Sequence, residues 1–155
     1  MRLNKESAEV LITDVGFGIS QVLPAIVLLH YVPSGATVIL EQPEIHLHPS
    51  VQANFADVIL HAAKYRGVQV VLESHSEHLL RRLQRRIAEE EIAADDARLY
   101  FCRLEKGNSK LESLVLNEFG HIENWPDKFF GDEFGEIAAI QDAALKRQAR
   151  KRAAE

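Results

Sequence analysis

Two short runs rich in β-branched residues, TVILE at 37–41 and VQVVLE at 68–73, flank a stretch with helical periodicity. No other feature constrains the fold as strongly. Continuous apolar runs of this length read as strands buried on both faces. Between them, PSVQANFADVILHAAKYRG puts Val51, Phe55, Val58, Ile59 and Ala62 on one helical face. That helix starts at Pro49 or Ser50 and stops at Gly67. Strand, helix, strand in this order implies two parallel strands joined by a right-handed crossover. Sheets of this kind bind ligands beyond the carboxyl ends of their strands. Both runs end there in polar chemistry, EQPEIHLHP after the first and ESHSEH at the end of the second.

The flanking segments extend the same α/β pattern. EVLITDVGFG is a short apolar run entering a Gly-containing loop, and SQVLPAIVLLHYV predicts a buried helix from about Ser20 to Tyr31. Pro24 is expected near its first turn, where a missing N–H costs little. PSG at 33–35 signals a turn. EHLLRRLQRRIAEEE predicts a third helix with Leu79, Leu80, Leu83 and Ile87 on one stripe. Its charges, Arg85 near Glu89 and Arg86 near Glu90, read as a solvated face. ARLYFCRLEKGNSKLESLVLNEFG predicts a hairpin turning at KGNS. An irregular stretch rich in Gly, Pro and aromatics follows, in which Trp125, Phe129, Phe130 and Phe134 suit a small satellite core better than a base-stacking platform. A final helix is expected from about Asp132 into KRQARKR.

With 155 residues the chain is long enough for one domain with a real core. Its net charge of −5 gives no global reason to bind nucleic acid. Only the tail KRQARKR, residues 146–152, offers a local basic patch: either a solvated helix end or a contact for phosphate backbones. Cys102, the single cysteine, forms no internal disulfide and is expected as a buried, inert thiol, which fits a reducing cytoplasmic compartment. No apolar stretch approaches the ~20 residues of a membrane span.

The polar strand ends suggest chemistry. Glu41 ends a strand, and a carboxylate there needs a partner, a hydrogen bond or a cation such as Mg²⁺. Gln42 can position a water but cannot accept its proton. Glu44, in the same loop, is a candidate base, and His75 can touch a phosphate oxygen or a polarised water. The set suits phosphoryl transfer, where a protein mainly positions groups and neutralises charge. Plainer readings stand beside it. Glu41 and Glu44 can pair with arginines or cap the following helix, and His75 can be an ordinary strand-end histidine. His46 and His48 have a spacing that can chelate a transition metal. His78 suits the first turn of a helix, and Gly16 and Gly18 can mark a simple turn.

VILEQPEIHLHP resembles the Walker B and D-loop segment of ABC-type ATPases, closest to the SMC/RecF-like and OLD-like AAA family ATPases with their LLEEPExHLHP-like pattern. ESHSEHLL resembles their switch-histidine segment, and FGISQ, upstream, stands roughly where their LSGGQ signature would. NEFGHIENWPDKFFGDEFGE resembles a C-terminal domain of uncharacterised function found on some of them. The resemblance implies an α/β fold, the parallel-sheet core of a P-loop NTPase half-domain with an added β-hairpin and C-terminal helix. It implies residues 1–105 as the C-terminal half of an ATPase head and 106–155 as a small extension. By position it implies Glu41 as the Mg²⁺ carboxylate, Gln42 in the place of the catalytic glutamate, His48 in the D-loop and His75 as the switch histidine. Gly16, Gly18, Ser20 and Gln21 would form the nucleotide-facing signature loop at a helix N-terminus, acting across a head-to-head dimer that sandwiches ATP. Two departures follow. Gln42 is not a carboxylate, and the sequence holds no Gly-Lys pair, hence no GxxxxGK[ST] Walker A loop. A Walker A-bearing segment or subunit would have to complete the site, and the chain alone is expected neither to bind ATP tightly nor to hydrolyse it. It would then be a fragment, a truncated product or half of a split ATPase, in a process such as repair or phage defence. The rival expectation is a non-catalytic interaction or regulatory module.

Overall fold

The computed structural model describes residues 17–126, 129–130 and 139–144. Gly16, Phe134, the beginning of the expected last helix and the basic tail lie outside them, although residues 139–144 are helical. The chain divides after Glu123 into two compact units.

In the first unit, α1 (Phe17–Tyr31) leads into β1 (Thr37–Glu41), α2 (Pro49–Arg66), β2 (Gln69–Glu73) and α3 (Glu77–Ala88). A one-turn 3₁₀ segment at Ala94–Asp96 precedes the hairpin of β3 (Leu99–Glu105) and β4 (Asn108–Leu114). β1 and β2 pair in parallel, Thr37 opposite Gln69 through Glu41 opposite Glu73, as the strand–helix–strand order requires. The hairpin turns at Lys106 and Gly107, both with positive φ (51° and 83°), the combination that matches the twist of two antiparallel strands. In the second unit Trp125, Phe129 and Phe130 pack edge-on or tilted against one another, Phe129 and Phe130 with ring centres 4.6 Å apart.

The core lies between α1, α2 and one face of the parallel pair. Val22 and Leu29 of α1, Val38 and Leu40 of β1, Phe55, Ala56, Ile59 and Ala62 of α2, and Leu79 of α3 form it. Arg66, in the last turn of α2, donates to the carbonyl oxygens of Leu29 and Val32 at 2.9 and 2.6 Å and so closes the end of α1. Gly67 ends α2 in the left-handed conformation.

Several expectations need correction. Only β1 has a fully buried face: Val38 and Leu40 are buried while Ile39 is 68% exposed, and in β2 Val70 is half-buried and Val71 50% exposed. A two-stranded sheet has helices enough here for one side. Pro24 is not in the first turn of its helix, because α1 starts three residues early, at Phe17, and Pro24 falls mid-helix. It therefore removes an N–H that would have bonded to Ser20. Cys102 is exposed, not buried, because its strand belongs to a hairpin of two strands only. Arg86 pairs with Glu89 rather than Glu90, whose φ of 59° takes it out of the helix. Arg86 also joins Arg82 on Asp57 of α2 (2.7 Å from Arg86 Nε), so this face of α3 is an interhelical contact and not only a solvated one. No helix among the described residues is long and apolar enough to cross a membrane.

Candidate functional site

The site gathers where β1 and β2 end. Gln42 N donates to Glu73 O at 2.9 Å, extending the ladder one residue beyond Glu41. Glu41 and Glu73 are the last register pair, both exposed, on the face that also carries Ile39 and Val71. Gln42 Nε2 lies 3.4 Å from Glu73 Oε1. Two carboxylates and an amide thus share one strand end.

The loop from Gln42 to His48 bends sharply. Gln42 and His46 have φ of 44° and 67°, left-handed values that cost a non-glycine residue free energy and that recur at functional sites. The turn carries Glu44 inward. Glu44 is the one buried charged residue among those described, 6% exposed. Its Oε1 accepts from Ser74 Oγ at 2.7 Å and from His75 N at 3.0 Å, and Oε2 is buried without a donor. His48 ends the loop as the N-cap of α2: Ser50 N donates to its Nδ1, which lies 2.8 Å from Ser50 Oγ.

After β2, Ser76 caps α3 by accepting from Leu79 N at 3.1 Å. His75, just before the cap, is exposed, with its main chain held by Glu44. His78 lies in the first turn of α3, as its position suggested.

Gly18, Ser20 and Gln21 lie on the first turns of α1 rather than in a loop before it. A methyl group on Gly18 would sit 3.1 Å from His46 O, so the start of α1 rests closely on the loop after β1. Gln21, Pro24, Leu28, Ile39, Glu41 and Gln42 line one shallow open groove. The structure therefore brings together Gln21, Glu41, Gln42, Glu44 and His75 at one end of the sheet, with Gly18 against the same loop.

Sequence reasoning did not single out Glu73, although its place at the end of VQVVLE repeats that of Glu41 at the end of TVILE. Among the described residues no three His, Cys, Asp or Glu side chains converge to hold a metal ion. Mg²⁺, a hard cation, takes one or two carboxylates and completes its shell with water and phosphate oxygens, and Glu41 and Glu73 are the register pair of carboxylates at this strand end.

Residues 1–81, more than half of the chain, match the family described as "AAA domain, putative AbiEii toxin, Type IV TA system", and the chain belongs to this AAA-type ATPase family. Residues 92–140, which include the hairpin, match a second family, a protein of unknown function (DUF3696). No curated protein and no solved structure matches the chain.

Proposed function

We propose that the chain supplies the magnesium and water-handling side of an ATP site of the ABC type, close to the SMC/RecF-like and OLD-like heads. The observation that carries this reading is the convergence at one sheet edge of the Glu41–Gln42 strand end and the His75 loop, tied to each other through Glu73 and Glu44. Membership of an AAA-type family supports it.

In this reading Glu41 holds Mg²⁺, with Glu73 opposite it on the same strand end. His75 contacts the terminal phosphate, and Gln42 orients the attacking water. Glu44 stands behind them, buried, and accepts from Ser74 and His75. Gly18, Ser20 and Gln21 face nucleotide from the first turns of α1, since helix N-termini favour phosphate, and His48 borders the loop; Gly16 would join them by its place in the sequence. Water attacks the γ-phosphorus, the bond to the β–γ bridging oxygen breaks so that ADP leaves, and the water's proton passes to an oxygen of the transferred phosphate. The protein mainly positions the groups and screens the charge. The phosphate cradle and its lysine come from a Walker A-bearing segment or subunit, in a head-to-head dimer. The basic tail at 146–152 contacts nucleic acid through its phosphates.

The test is ATP hydrolysis with Mg²⁺, by the chain alone and after mixing with a purified Walker A-bearing segment of the same AAA family. The expected result is no turnover alone and a gain on mixing that Glu41→Gln and His75→Ala remove. Turnover by the chain alone, unchanged by both substitutions, overturns the reading. Gln42 favours a second reading, a non-catalytic interaction module. A mixed complex that forms and binds ATP but turns none over, even with Gln42→Glu, would select it.

A further inference from the structure

We infer that Glu44 is a positioning residue, whose buried carboxylate locks the loop after β1 to the loop after β2 and so fixes where His75 stands relative to Gln42. The inference deepens the proposed ATP site and rests on it for the role of His75; the lock itself stands on geometry alone.

A closed circuit of hydrogen bonds starts and ends at Glu44. Ser74 Oγ donates to Glu44 Oε1 at 2.7 Å and accepts from Ser76 N at 3.0 Å. Ser76 Oγ donates to Gln52 Oε1 at 2.6 Å, and Gln52 Nε2 donates to Leu47 O at 2.9 Å. Leu47 N returns to Glu44 O at 2.9 Å. Each hydroxyl donates once and both ends of the Gln52 amide are used, while Glu44 Oε2 is buried without a donor. The circuit joins the first loop, the first turn of α2 and the cap of α3. From it Glu44 Oε1 also takes the His75 N–H, at 3.0 Å. Gln42 and His75 are thereby carried on one polar frame rather than on two independent loops.

Burial makes the frame consequential. A group 6% exposed cannot exchange these bonds for water without opening the loops, and an unpaired buried N–H at His75 is costly. A general base instead needs an oxygen within reach of the water it deprotonates. The two roles separate on substitution. Gln keeps an oxygen that accepts from Ser74 and His75 but removes the base, whereas Ala removes both.

The test is amide hydrogen exchange and the imidazole NMR signals of His75 in the full chain without nucleotide, for Glu44→Ala, Glu44→Gln and Ser74→Ala. Glu44→Ala should speed exchange at the His75 amide about ten- to a hundredfold, the loss of one buried hydrogen bond. It should also shift the His75 ring signals while those of His61 and His121 stay in place. Glu44→Gln should restore both. Ser74→Ala, which keeps the His75 bond, should produce a smaller change of the same kind and serves if Glu44→Ala does not fold. In the mixed ATPase assembly, Glu44→Gln should hold turnover within about threefold, against the ~10²-fold or greater loss expected of a removed base. An unchanged His75 amide in Glu44→Ala, or in Ser74→Ala where the former does not fold, overturns the inference. So does a Glu44→Gln assembly that loses turnover with His75 protection intact. An altered His75 amide with no turnover in any assembly leaves the lock standing and removes the ATP reading.

Discussion

Gly120 has φ of 76°, and a methyl group on it would lie 2.1 Å from the backbone oxygen of Gln84 in α3. Gln84 Nε2 in turn donates to Gly120 O at 2.7 Å. No side-chain rotation relieves a contact between a Cβ and a main-chain oxygen. Gly120→Ala should therefore lower stability by about 2 kcal/mol or more, read from a denaturant melt. Gly18→Ala meets its neighbours at 3.1 and 3.2 Å, one of them a flexible leucine methyl, and should cost less. At Gln42 the prediction is functional. If the mixed assembly hydrolyses ATP, Gln42→Glu should raise kcat by roughly 10²-fold, the usual worth of a positioned base, with little change in ATP affinity. At this scale the sequence was partly readable. It placed Glu41, Gln42 and His75 at the strand ends, because residue type and the end of an apolar run are local facts. It could not show Glu44 buried, since that depends on Ser74, thirty positions away, and on left-handed φ angles at Gln42 and His46 that no glycine announces.

Between elements, the α2–α3 contact is held by one acid against two bases. Asp57 accepts from Arg82 and Arg86, and its carboxyl lies below its ordinary value, chiefly through the Arg86 hydrogen bond, with partial burial opposing and the Arg82 charge adding. Arg86, bonded to Asp57 and Glu89, is held above its ordinary value. A carboxyl depressed in the folded state stabilises at pH above its unfolded value of about 3.9 and loses that contribution as pH falls through the folded value. Melting temperature should therefore fall on acidification below about pH 4. In Asp57→Asn that component of the fall should disappear. The same variant at neutral pH should be less stable by about 1 kcal/mol, a figure kept small because the group is one-third exposed. Helical spacing reads Arg82 and Arg86 only against their own helix. The partner sits 25 and 29 positions earlier, so the pattern suggested a solvated face where the fold makes an interhelical tie. Pro24 lies deeper in its helix than the sequence suggests, because α1 already includes Phe17 and Gly18, the latter packed closely on the loop after β1.

For the molecule as a whole, the parallel pair has one finished face. Parallel sheets are ordinarily covered on both sides. Here Ile39 and Val71 face outward, as do Leu23, Val27, Leu28 and Tyr31 of α1, a helix apolar nearly all round. The sequence had the strands and their order right but read them as doubly buried, because β-branched composition reports what a strand is suited to and not what covers it. If the bare face receives the Walker A-bearing segment, Ile39→Lys should change the stability of the chain alone by no more than about 0.5 kcal/mol. It should also abolish the gain of ATPase activity on mixing. Equal turnover of variant and parent assemblies would remove this face from the interface.

The pairing of β1 with β2 also sets an order of events during folding. The hairpin of β3 and β4 closes through two residues, whereas Thr37 meets Gln69 only after a 32-residue excursion through α2. Ring closure of that length cannot precede the helix that shortens it. In pulsed hydrogen exchange during refolding, amides of 99–114 should gain protection before those of 37–41 and 69–73. Because the loops bearing Gln42 and His75 hang from the later pair, the candidate site is among the last parts of the chain to take shape, and an incompletely folded chain presents none of it.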